Sequence, residues 1–252
     1  MQFAILGSGS RGNASLIETA GACVMVDCGF SMKETVSRLA KLQREPSDIT
    51  AILVTHEHTD HIRGVGAFAR KHSIPVYATR GTARSNLLGE LPDWQAFNPE
   101  QAIVLNDMHI QAFPVPHDAR EPCQFVFSDG DRRFAQLTDV GSSTSHIEQV
   151  LSGCHAMILE CNHDPTMLAE SSYPESLKRR ISGMYGHLSN GQAADILAAI
   201  DTDKLQQVVL AHLSEQNNQP ALAKHAVSTA LGCDPEWLEV AEQDATRDWR
   251  TV

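Results

Sequence analysis

The sequence predicts an α/β fold of the αββα type: two mixed β-sheets packed face to face, with helices outside. Two observations predict it. Short, apolar, β-rich segments come first, set off by glycine-rich turns as in hairpins, and further along strands interleave with helices, so the two halves are roughly alike. No low-complexity linker divides them and no solenoid period repeats, so residues 1–252 are expected to form one domain.

The elements follow in order. Residues 3–6, 14–17 and 23–26 read as strands. Ser31 and Glu34 form a capping box that opens a helix to about residue 42, and Pro46 stops it. Residues 51–55 are a buried-type strand, with a polar run behind them. A helix is expected over 65–71, a strand over 75–78 and a helix over 82–89. Strands follow at 103–105, 110–115, 124–127 and 134–137, with Asp129-Gly130 as a hairpin turn. Beyond them come a helix over 145–151, a strand over 157–160, helices over 174–181 and 192–200, a strand over 208–211, a helix over 222–231 and an edge strand over 237–240.

Composition narrows the function classes. At 42% hydrophobic and 20% charged residues, the chain can bury a core and is not of the disordered class. With 20 basic against 31 acidic side chains, the net charge of −11 argues against a bulk electrostatic grip on nucleic acid or an anionic membrane. The charge is uneven: residues 1–89 hold 10 basic and 7 acidic side chains, residues 90–252 hold 10 and 24. No apolar run approaches a membrane span, and the start of the chain carries no secretory signal pattern. Six cysteines without a Cys-x-x-Cys pair read as reduced, mostly buried thiols, and the expected location is cytoplasmic.

The strongest chemical signal is His56-Glu57-His58-Thr59-Asp60-His61, four potential metal ligands within six residues behind a buried strand. Imidazole suits Zn, Mn, Fe or Co, and carboxylate suits the harder members of that set. Other ligand-type residues stand just past apolar strands: His117, Asp139 and His212. Their types divide between two divalent ions, zinc or manganese. His56, His58 and His117 suit one, Asp60, His61 and His212 the other, and Asp139 can bridge with its two oxygens. Asp27 is expected to hold the far nitrogen of a liganding histidine.

The order Asp27, His-x-His-x-Asp-His, His117, Asp139, His212 resembles the metallo-β-lactamase superfamily, which implies its αββα sandwich and a two-metal site. Two ions about 3.5–4 Å apart can hold a hydroxide between them and clamp a phosphoryl oxygen. Protonation of the leaving group then needs an acid. His187, in Gly186-His187-Leu188-Ser189-Asn190, is the candidate, with Glu160 at a strand's end to orient it. His187, Glu160 and the ligand Asp60 make up the expected catalytic set. Cys28 and Cys161 are read as packing residues, since the metals supply the nucleophile.

The Glu and Gly-His pair is similar to that of the nuclease branch of this fold. Further motifs are Leu6-Gly7-Ser8-Gly9-Ser10-Arg11-Gly12-Asn13, Glu160-Cys161-Asn162-His163-Asp164, Lys178-Arg179-Arg180, and His212-Leu213-Ser214 with Asn217-Asn218. Together they resemble the YycJ/WalJ-type family of 5′-to-3′ DNA exonucleases. The resemblance implies DNA ends as substrate, with no membrane and no flavin or nucleotide cofactor. The N-terminal loop departs from the family's serine-rich pattern. Its glycines allow an anion-binding nest, with Ser8, Ser10 and Asn13 as added donors, and Ser189 and Asn190 join them on the substrate side.

The 73 residues from Asp139 to His212 leave no room for an inserted β-CASP domain. Two other readings share the fold: a hydrolase of a small phosphodiester or thioester, and a di-iron redox protein. The redox reading needs a glutamate where His58 stands and a flavin domain.

Overall fold

A computed structural model describes residues Met1–Val252. The chain runs β1 (Gln2–Gly7), β2 (Ala14–Glu18), β3 (Cys23–Val26), α1 (Met32–Lys41), β4 (Ala51–Leu53), α2 (Thr59–Ile62), α3 (Val65–His72), β5 (Val76–Ala78), β6 (Trp94–Ala96), β7 (Ala102–Leu105), β8 (Met108–Pro114) and β9 (Cys123–Ser128). It continues with β10 (Arg133–Leu137), α4 (Ser145–Leu151), β11 (Ala156–Glu160), α5 (Pro165–Glu170), α6 (Glu175–Ile181), α7 (Asn190–Ala199), β12 (Gln207–Ala211), α8 (Pro220–Leu231), β13 (Glu239–Val240) and β14 (Arg247–Thr251).

The strands form two mixed seven-stranded sheets with flanking helices, of order β14-β1-β2-β3-β4-β5-β6 and β13-β12-β11-β10-β9-β8-β7. Each has an antiparallel half and a parallel half. In the first, β14, β1, β2 and β3 pair antiparallel, and β3 through β6 parallel. In the second, β7 to β9 pair antiparallel and β10 to β13 parallel. Parallel neighbours need crossovers, and most of the helices lie in those connections. The carboxyl ends of parallel strands are where α/β proteins gather ligands. Here β3 is followed by Asp27, β4 leads to Thr55 and His56, β10 to Asp139, β11 ends on Glu160, and β12 is followed by His212.

The chain divides into two compact units. One holds Met1–Pro114, Ala119–Arg132 and Glu242–Val252, the other Val115–Asp118 and Arg133–Ala241. The core of the first includes Leu6, Leu16, Met25, Ile52 and Phe68. The second buries Phe134, Leu159, Leu188, Ile196 and Leu210, among others.

Three local expectations are corrected. Residues 82–89 make only a 3₁₀ turn at Thr82–Arg84, because Ser85 and Asn86 favour turns over helix and the segment ends on Gly89 with φ 62°. The segment 237–240 starts as a 3₁₀ turn, Pro235–Trp237, capped by Asp234, and only Glu239–Val240 pairs as strand. Ser31 caps α1 by accepting from the Glu34 amide at 3.3 Å, but the Glu34 carboxylate turns to Arg38 at 2.7 Å instead of closing the box.

Candidate active site

In the first unit, the polar run leaves β4 and enters α2, a single turn capped by His58. Ahead of it, Asp27 takes left-handed backbone, φ 59°, a conformation Asp tolerates better than most residues. This turns its carboxylate onto the next strand's end: Thr55 donates to it through its amide at 2.9 Å and its hydroxyl at 2.8 Å. The other partner is His61, whose Nδ1 lies 2.7 Å from Asp27 Oδ2. Burial pushes the Asp27 carboxyl up, against the pull of His61 and the two Thr55 bonds. An imidazole that gives its Nδ1 proton to a carboxylate carries its lone pair on Nε2, the tautomer a cation requires. The Asn13 amide lies 3.1 Å from that Nε2 and donates to Asp60 Oδ2 at 3.1 Å. The His56 ring stands 4.6 Å from the His58 ring and 4.2 Å from the His61 ring, centroid to centroid. Its Nδ1 is 3.0 Å from the Thr55 hydroxyl. Gly29 is obligatory here, since a Cβ would strike the Asp60 carbonyl. The donor set, buried imidazoles held from behind with a carboxylate among them, fits a divalent cation.

The second unit holds the other group. Asp139 and His212 also sit in left-handed backbone, each with φ 55°, one residue or two past a parallel strand. Parallel register sets Glu160 beside Ala211, which brings His212 to the Glu160 carboxylate. Glu160 Oε1 lies 2.8 Å from His187 Nδ1 and 3.0 Å from His212 Nδ1, while Oε2 accepts the amides of Val140 and Leu188. Ligand-type atoms of Asp139, Glu160, His187 and His212 all lie within 4.8 Å of one another. Burial raises the Glu160 carboxyl, but His187 and its bonds outweigh that and hold it down at about 2. Burial opposes the His187 cation, yet the Glu160 charge and bond win and hold it above the ordinary imidazole value. His117 Nδ1 is 3.0 Å from the Gly186 carbonyl, so its lone pair too falls on Nε2. Gly186 must be glycine: a Cβ would strike the carbonyls of Arg180 and Ile181.

The remaining predicted positions are placed as follows. The Asn13 carboxamide closes the glycine-rich loop on itself, accepting from the Gly9 amide at 2.8 Å and donating to the Gly9 carbonyl at 3.0 Å. Ser8 is buried in that loop and Ser10 is exposed at its tip. Ser189 caps α7 in a full capping box with Gln192. Asn190 is buried in a reciprocal amide pair with Asn218, at 2.9 and 2.8 Å. Burial pushes the Cys28 thiol up to about 12 and the Cys161 thiol higher, so both are inert packing groups.

Sequence reasoning missed several supports. Thr55, the hydroxyl behind both Asp27 and His56, stood in plain view between strand and motif. The second partner of Glu160 and the Gly186 carbonyl behind His117 left no pattern to read.

The comparisons with known proteins agree over nearly the whole chain. The family described as "Beta-lactamase superfamily domain" matches residues 23–213. Exodeoxyribonuclease YycJ of Bacillus anthracis is 39% identical over 235 residues, covering 92% of this chain and 89% of the relative. Exodeoxyribonuclease WalJ of Streptococcus pneumoniae is 37% identical over 228 residues, covering 88% and 85%. Among solved structures, the metallo-β-lactamase fold protein YhfI of Bacillus subtilis superposes with a TM-score of 0.75 at 15% identity, covering 97% of each chain. Zn²⁺-bound PqqB of Methylobacterium extorquens gives 0.72 at 16% identity, covering 98% and 100%. At those identities the structures speak for the fold alone.

Proposed function

The chain belongs to the β-lactamase superfamily, alongside the exodeoxyribonucleases YycJ and WalJ, and from that premise we propose that it is a metal-dependent 5′-to-3′ exodeoxyribonuclease. The observation that carries this reading is the preorganised donor set: His61, His117 and His212 are each held through Nδ1, in a chain 39% identical to a DNA exonuclease.

His56, His58 and His117 would hold one divalent ion, Asp60, His61 and His212 a second, and Asp139 would serve both, with zinc or manganese the metals that suit these ligands. When bound, the cations supply positive charge for the phosphoryl oxygens and a source of nucleophile at neutral pH. His187 supplies the proton. Its Nδ1 is engaged by Glu160, which leaves Nε2 to carry the proton for transfer. Glu160 fixes that tautomer and stabilises the imidazolium before transfer. Asp27 and Asn13 orient His61 and Asp60. Ser8 and Ser10 are assigned to a substrate phosphate through their hydroxyls, because the amides of Ser8, Gly9, Arg11 and Gly12 already donate to protein acceptors. The six cysteines are all free, in keeping with a cytoplasmic setting.

Metal analysis combined with kinetics tests the division of labour. His58→Ala and Asp139→Ala are expected to lose bound metal and activity together. His187→Ala is expected to keep wild-type metal content and lose about 10²–10⁴-fold in rate. A His187→Ala enzyme digesting DNA at the wild-type rate would contradict its role as the acid.

A further inference from the structure

A cavity of about 280 Å³ opens in the second unit, and nothing in the reaction described above uses it. Its lining includes His163, Pro165, Leu168, Ala169, Lys178 and Arg179. His163 is the unusual member. The residue is 2% exposed, and its Nδ1 has no hydrogen-bond partner. A buried polar nitrogen left unmatched is costly, so such a group calls for a partner. Burial also lowers the His163 pKa, which keeps the ring neutral and able to accept or donate one bond.

The backbone of His163 is held beside the catalytic segment. His163 forms a parallel bridge with Ser189, its carbonyl accepts the Asn190 amide at 2.9 Å, and the Asn162 amide donates to the Leu188 carbonyl at 2.9 Å. The cavity wall at His163 therefore lies on the segment next to His187-Leu188-Ser189. Pro165, Leu168 and Ala169 give it an apolar side. The other side is the basic triplet of α6. Lys178 is tied to the Ala169 carbonyl at 2.6 Å and to Glu175 at 3.4 Å, and Arg180 to Asp118 at 2.5 Å. Arg179 is exposed and makes no ion pair.

An apolar wall, one buried neutral imidazole and one uncommitted guanidinium at the rim match a planar heteroaromatic ring carrying an anion. The volume is at the low end for ligand sites and admits one nucleotide rather than a larger ligand. We infer that this cavity receives a single nucleobase of the DNA strand, held at His163, with an adjoining phosphate on Arg179. The inference rests on the nuclease reading and adds to it a base-binding subsite that anchors the strand beside the general acid.

The test uses the metal-loaded full chain and two probes, deoxyadenosine 5′-monophosphate and deoxyribose 5-phosphate. The ring-nitrogen resonances of His163, assigned through His163→Gln, are expected to shift with the first and not with the second. Ala169→Leu, which narrows the cavity from an exposed helical position, is expected to weaken nucleotide binding at least tenfold, and Arg179→Ala several-fold. A single-stranded oligonucleotide scanned with one abasic position at a time is expected to show one position whose loss weakens binding to the wild type and not to Ala169→Leu. If DNA is digested while His163 stays unmoved and no abasic position matters, the subsite is refuted and the nuclease reading stands. If the metal-loaded chain leaves DNA intact, the nuclease reading falls and the assignment of the base to a DNA strand falls with it.

Discussion

Glu160 touches two imidazoles at once, His187 at 2.8 Å and His212 at 3.0 Å, from a fully buried carboxylate. The same charge that fixes both rings keeps His187 protonated above the ordinary imidazole value of 6.5. An acid is active below its pKa, so the rate is expected to fall as pH rises through that raised value, giving an alkaline limb above 6.5. Glu160→Gln keeps the shape and removes the charge. Burial then dominates, and the limb is expected to move to lower pH, as a pH–rate profile of kcat would record. A limb that stays in place in Glu160→Gln would assign it to another group. The partnership of Glu160 with His187 was legible in the sequence, because each follows a recognisable break in an apolar segment. The partnership with His212 was not, since it depends on the parallel register of β11 on β12, which no local pattern encodes. Asn13 too makes contacts that no local pattern encodes. Expected as a phosphate donor, it uses its carboxamide to close its own loop and to reach Asp60. Asn13→Ala is accordingly expected to lower metal affinity by about 10–100-fold, the effect of removing a group that orients a ligand, in a competition titration against a chelator.

Among the elements, β14 was the least visible. The stretch after residue 240 matches no motif and is rich in acidic side chains, so no element is expected there. It is instead an edge strand antiparallel to β1, and the turn before it braces the glycine-rich loop. Gln243 accepts from the Arg11 amide at 2.7 Å and donates to the Gly12 carbonyl at 2.9 Å, and Arg38, buried within α1, donates to the carbonyls of Leu6 and Gln243 at 2.6 and 3.1 Å. Gln243→Ala removes two loop bonds and is expected to destabilise the protein by about 1–3 kcal/mol in denaturant titration. Because the same loop carries Asn13, metal retention should weaken in step. Unchanged stability and metal affinity would show that the loop holds its shape without the brace. The paired central strands β3, β4, β11 and β12 were readable because buried parallel strands are near-continuous apolar runs bounded by polar breaks. The short strand β6 and helix α5 lack such runs, and they went unread.

For the whole molecule, the net charge of −11 speaks against a protein that coats nucleic acid. It is compatible with an enzyme that holds one DNA end locally. Several surface cations are already matched, Arg11 by Asp244 at 2.6 Å and Arg180 by Asp118 at 2.5 Å. DNA binding should therefore be modest and weaken with added salt. No helix is long and apolar enough to cross a membrane. The fold was legible as a whole because its ligand-type residues recur at the ends of apolar strands, in both halves of the chain. The central claim, a metal-dependent exodeoxyribonuclease working from the 5′ end, is tested most directly by digesting one duplex labelled at either its 5′ or its 3′ ends, with chelated and metal-reloaded protein. The reloaded protein should release the 5′ label at once as a short product and shorten the 3′-labelled strand progressively, and the chelated protein should do neither. Undiminished digestion after chelation, or a reloaded protein that turns over small phosphodiesters and leaves both labelled strands at full length, would contradict it.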